Sequence, residues 1–165
     1  MLKPLEQFIC DECGQVINSP KEGYVEWESG TDANGKMFAR GFRIVHAAYA
    51  SPLAHKSTEG CYKYGRSHYR SDIDLEYFLK YAHQEMFSLL DLGFLHDKNK
   101  NIGCQISDFS EFVDFFKRLT IPYYEEARQY FQEAMADGEI YGDENEIYLF
   151  SEEKLEKIVQ KYNRC

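Results

Sequence analysis

Over roughly the first 70 residues, apolar positions come in short runs with a period near two. "GYVEW", Gly23 to Trp27, and "FRIVHAAYA", Phe42 to Ala50, read as strands. The segment between them, "ESGTDANGK", centres on Asp32-Ala33-Asn34-Gly35 and reads as a turn, so the two runs predict a small antiparallel hairpin or ribbon. After the polar connection "HKSTEGCYKYGRSHYRSD" the period moves towards 3.6. From Asp72, apolar residues recur at Leu75, Phe78, Leu79, Ala82, Met86, Leu89 and Leu90, one face of a helix, with Ser71 and Asp74 as a capping box and Gly93 as a stop.

A second helix is expected from Asp108, with Glu111 three residues on, burying Phe112, Val113, Phe116 and Leu119. A third follows Pro122 and carries Tyr124, Ala127, Phe131 and Ala134 on one stripe before it ends at Asp137-Gly138. "EIYGDENEIYLF", 139–150, has apolar runs on either side of "GDEN" and reads as a hairpin. Ser151 then caps "EEKLEKIVQKY", whose early glutamates and late lysines complement the helix dipole. The pattern predicts an α+β protein in two parts: a β domain over 1–70, and a mostly helical domain over 71–165 with one hairpin near 139–150.

Composition is consistent with folded structure throughout. With 165 residues, 44% hydrophobic and 16% aromatic, the chain can bury a core without disulfides. No stretch approaches the roughly 18 apolar residues of a membrane span, and the N-terminus lacks a basic flank before an apolar run. A cytoplasmic protein with no membrane partner is expected. Charge is divided unevenly: residues 1–70 carry nine Lys and Arg against eight Asp and Glu, while residues 71–165 carry ten against twenty. The acidic half disfavours nucleic acid and membrane surfaces and favours a basic partner or simply a solvated surface.

Five cysteines, an odd number with no secretion signal, point away from a disulfide framework and leave metal binding, redox chemistry or burial. In "CDECG", Cys10 and Cys13 are spaced as a zinc knuckle requires, so that both thiolates reach one ion at about 2.3 Å. Gly14 allows the left-handed backbone that turns amides towards the sulfurs. A redox pair would need a lowered thiol pKa, and Asp11 and Glu12 between the cysteines work against that unless cations compensate. Unliganded thiols are the third reading. The ligand set Cys10, Cys13, His46 and Cys61 completes a zinc site best, with His55, His68 or Cys104 as replacements at the fourth position.

On these residues the segment of about 8–65 resembles zinc-ribbon-like or treble-clef-like domains, in which a Cys-x-x-Cys-Gly knuckle and a second ligand pair staple a small sheet. The likeness implies a structural Zn2+ with four protein ligands and no open position. It leaves open whether such a domain binds nucleic acid, binds protein or only adds stability.

Three other constellations in the chain bear on function. Lys56, Lys63, Arg66 and Arg70, interleaved with Tyr62, Tyr64 and Tyr69, form a short basic and aromatic segment able to hold single-stranded nucleic acid. "DKNKNIGCQISD", from Asp97, begins like a calcium loop but has its glycine one position late and Asp108 where a bidentate glutamate is required. The third constellation places His46, His55 and His68 around a hydrolytic metal with Glu59 or Asp72 as base, which would make the chain an enzyme. No phosphate loop, nucleophile elbow or dinucleotide fingerprint is present. The preferred reading is a zinc-stabilised interaction or regulatory protein without catalysis. Its partner is expected to be a protein, met by the acidic, tyrosine-rich helical half, for example at Glu125 and Glu126.

Overall fold

The computed structural model describes residues 1–55, 60–63, 70–90, 106–141 and 145–163. Strands β1 (Phe8–Ile9) and β2 (Val16–Ile17) pair antiparallel, with Phe8 opposite Ile17, and the loop between them carries the cysteine pair. Strands β3 (Gly23–Thr31), β4 (Met37–His46) and β5 (Arg70–Asp74) form an antiparallel sheet in the order β4-β3-β5. The β3-β4 register runs from Gly23 opposite His46 to Thr31 opposite Met37, with an irregularity between Glu26 and Glu28. The expected hairpin is therefore present. Its turn is held by Asp32 Oδ1, which accepts from the amides of Asn34 and Lys36 at 2.8 and 2.9 Å.

Helices α1 (Leu75–Lys80) and α2 (Ala82–Leu90) follow the sheet, then α3 (Phe109–Thr120), α4 (Tyr124–Ala127), α5 (Phe131–Ala136), α6 (Glu146–Leu149) and α7 (Glu152–Tyr162). The α+β class holds. Asp108 caps α3 by accepting from the amides of Ser110 and Glu111, and Ser151 caps α7 through the amide of Lys154. Glu111 serves the sheet: its Oε1 accepts the Phe42 amide of β4 at 2.6 Å.

Four local expectations change. Ser71 and Asp74 do not open a helix with a capping box. Residues 70–74 pair with β3, Ile73 opposite Val25 and Ser71 opposite Trp27, and the Ser71 and Ser29 hydroxyls lie 2.6 Å apart. The alternation in Ser71-Asp72-Ile73-Asp74 suits a strand, and β3 offers partners to the backbone groups of residues 70–74 that face it, which a capping box does not. The helix also breaks at Tyr81 into α1 and α2. In α3 the inward face is Phe112, Phe115, Phe116 and Leu119, and Val113 is 45% exposed. Over 139–150 the described residues hold a short helix and no strand: Asn145 starts α6 by accepting the Ile147 amide on its side chain and the Tyr148 and Leu149 amides on its carbonyl. Gly93 and residues 97–105 of the calcium-like segment lie outside the described residues.

Among the described residues, two clusters of buried side chains make the core. The first joins Phe8, Ile17, Val25, Trp27, Phe42 and Ile44 to Leu75, Phe78 and, from α3, Phe112, Phe115 and Phe116, so it draws on both sides of the compositional boundary at Ser71. Phe115 is its aromatic centre, 5.2 Å from the Phe42 ring and 5.6 Å from that of Phe78. The second packs Tyr124, Ala127, Ala134 and Ile140 against Leu155, Ile158 and Val159. No described helix is long and apolar enough to cross a membrane.

Candidate metal centre

The β1-β2 turn is tight because its backbone bonds to itself. The Gly14 amide donates to the Cys10 carbonyl at 2.8 Å, the Cys10 amide donates to the Gln15 carbonyl at 2.9 Å, and Gly14 adopts φ +72°. The knuckle is stitched to the end of β4: the Asp11 amide donates to the Ile44 carbonyl at 2.9 Å, and Asp11 Oδ2 accepts the Ile44 amide at 2.7 Å. Two residues on, His46 ends the strand. Cys61 follows Gly60, which adopts φ +60°. Ser51 holds that turn, its Oγ accepting the amides of Cys61 and Leu53 at 3.0 Å. The same hydroxyl donates to Cys61 Sγ at 3.0 Å.

These elements bring the ligating atoms of Cys10, Cys13, His46 and Cys61 within 4.8 Å of one another. Cys13 Sγ lies 3.5 Å from His46 Nδ1, the separation of about 3.5 Å that sulfur and nitrogen take on a shared tetrahedral zinc. The other ring nitrogen, Nε2, is 3.2 Å from the Val16 carbonyl and donates to it when Nδ1 is the ligand, which sets tautomer and ring orientation together. Cys10, His46 and Cys61 are buried and Cys13 is half-buried. This Cys3His set can hold a metal ion.

Burial governs the thiols of the metal-free chain. It raises the Cys10 thiol above its ordinary range despite nearby backbone hydrogen bonds. It pushes the Cys61 thiol up to about 12, with the neighbouring Cys10 adding to the rise. The two acids inside the knuckle are matched by cations that sequence spacing does not reveal. Glu12 is bonded by Lys63 at 2.6 Å and Arg43 at 2.9 Å, which outweigh its partial burial and hold it below the usual carboxylate range. Arg43 also pairs with Glu26, a fully buried carboxylate of β3. Asp11 is met by Arg118 of α3 at 2.8 Å.

Other residues singled out from the sequence fall elsewhere. Lys63 and Tyr62 are engaged within the fold: Lys63 with Glu12, and Tyr62 with Asp72 through its hydroxyl at 2.5 Å and with the Tyr24 ring at 4.9 Å. Lys56, Tyr64, Arg66 and Tyr69 lie outside the described residues, as do Glu59, His68 and Cys104. Arg70 opens β5, its side chain likewise not described. His55 is exposed and is not part of the described cluster.

Glu125 and Glu126, expected on an outward acidic face, are each only 6% exposed. Glu125 accepts the Ile9 amide at 2.8 Å and Glu126 the Leu2 amide at 2.6 Å. They bind the chain's own N-terminal segment, because buried backbone donators and carboxylates satisfy one another there. The chain matches no protein-family model, no curated protein and no solved structure.

Proposed function

We propose that Cys10, Cys13, His46 and Cys61 bind one zinc ion as a structural staple, and that the protein so held is a cytoplasmic binding protein whose partner is another protein. The observation that carries the metal reading is the convergence of three sulfurs and one imidazole nitrogen within 4.8 Å. Three thiolates and an imidazole suit a borderline-soft, tetrahedral ion, which is why zinc is named. Four protein donors complete the coordination and leave no position for a reactive water, which favours a structural over a hydrolytic role. Burial raises the Cys10 and Cys61 thiols and makes them poor nucleophiles, which weighs against redox chemistry at those two sulfurs. Free cysteines suit a reducing compartment.

Zinc in such a small sheet supplies folding energy. A chelator that strips the metal is expected to abolish the near-ultraviolet dichroism of Trp27, which packs at 5.8 Å from the Phe42 ring in the first core, and added zinc to restore it. An unchanged spectrum after metal loss would reject the staple.

The partner-binding reading draws on the helical half, where Tyr141, Ile147 and Tyr148 are 62%, 80% and 69% exposed. Large apolar side chains on an acidic surface suit a partner with an apolar centre and a basic rim. A photo-crosslinking residue at position 147 is expected to capture protein adducts in cells that one at the exposed Lys36 does not. Equal capture at both positions would argue against this surface.

A further inference from the structure

Arg118 and Glu125 belong to the helical half, yet both end at the knuckle. Arg118 forks Glu125, Nε to Oε2 at 2.7 Å and Nη2 to Oε1 at 3.1 Å. Its Nη2 also donates to the Ile9 carbonyl at 3.2 Å, and Glu125 Oε1 accepts the Ile9 amide at 2.8 Å. The pair therefore presents one donor and one acceptor to the backbone of the residue just before Cys10, as a neighbouring strand would. The residue just after Cys10 is held too, since Arg118 Nη1 reaches Asp11 Oδ2 at 2.8 Å. That same oxygen accepts the amide of Ile44, two residues before His46. Arg118 is 4% exposed and Glu125 6%. Burial opposes the Arg118 charge, but Glu125 and Asp11 more than compensate and raise its pKa.

We propose that Arg118 and Glu125 are positioning residues of the metal centre, fixing the Cys10 turn and the His46 strand end at ligating separation from across the core. The inference rests on the zinc reading above and extends it. Metal affinity is then set partly by α3 and α4, and by linkage the metal tightens the seating of α4 on β1 to the same degree. Groups hydrogen-bonded directly to metal ligands change affinity by about 10–100-fold when removed; Arg118 and Glu125 act through Ile9 and Asp11, the neighbours of Cys10, which puts their effect near the lower end of that range. A pair serving only fold stability would lower the melting temperature and leave affinity per folded chain unchanged.

The experiment is a competition titration of zinc against a chromophoric chelator, run on the full chain and on Arg118→Lys and Glu125→Gln, with Lys157→Ala as a remote control. Arg118→Lys keeps the charge and loses the fork; Glu125→Gln keeps the shape and loses the charge. Each is expected to weaken zinc by about tenfold or more, and to shift the visible absorption of the cobalt-substituted protein, while the control matches wild type. Folded variants with wild-type zinc affinity and an unshifted cobalt spectrum would overturn the assignment. Should the variants fail to fold, hydrogen exchange on the wild-type chain decides: zinc is expected to slow exchange at Ile9 and across Tyr124–Ala127, and unchanged protection there overturns the proposal. A wild-type chain that binds no zinc would remove the underlying site as well, an outcome distinct from binding without coupling.

Discussion

Gly60 is the residue on which the Cys61 side of the site turns. It occupies φ +60°, and a Cβ built there would lie 2.5 Å from the Cβ and Oγ of Ser51, the hydroxyl that bonds the Cys61 amide and thiol. Gly14 occupies φ +72° but faces open space. The two glycines separate backbone strain from steric displacement. Gly14→Ala carries only the left-handed penalty of about 1–2 kcal/mol and retains the metal. Gly60→Ala adds the displacement of Ser51, and is expected to cost more than Gly14→Ala in denaturant unfolding and to weaken metal retention. Equal costs would show that Ser51 moves aside freely. The knuckle was legible in the sequence because its chemistry is local, two thiols and a glycine within five residues. The role of Asp11 was not, because Arg118 lies 107 positions away and no spacing rule connects them.

Among the elements, α3 gives the cleanest contrast between buried and exposed positions. Phe115 is 2% exposed and contacts rings from β4 and α1, whereas Val113 is 45% exposed. Phe115→Ala is expected to destabilise the fold by about 3–5 kcal/mol, and Val113→Ala by about 0.5 kcal/mol or less; similar losses would mean that α3 is seated on a different face. Phe112, Phe115, Phe116 and Leu119 follow the helical period, and Val113 is apolar only by type. The helix beginning near 72 misled for the opposite reason. Leu75 onwards is helical, but Ile73 and its polar neighbours are claimed by the free edge of β3, a partner nearly 50 residues earlier that periodicity cannot see. Short elements such as α6 depend on one Asn145 cap, a weaker signal than the aromatic runs around it.

For the whole molecule, the charge division that suggested an acidic docking face has a different internal meaning. Part of the acidic surplus, Glu125 and Glu126, is buried and used to hold residues 1–9, and Asp11 and Glu12 are answered by Arg118, Arg43 and Lys63. Charge reversal at Glu125 would therefore break a buried pair, at a cost of about 3–5 kcal/mol, before it could test any surface. The central feature of the molecule is a candidate metal site whose donors come from two turns and a strand end, joined to α3 through Asp11 and Arg118. Native mass spectrometry of the full chain, purified without chelator under reducing conditions, tests this most directly. One zinc per wild-type chain, lost or weakened in Cys13→Ser, His46→Ala and Cys61→Ser alike, is the predicted result. A folded wild-type chain at its metal-free mass, or variants that keep the zinc, would contradict it.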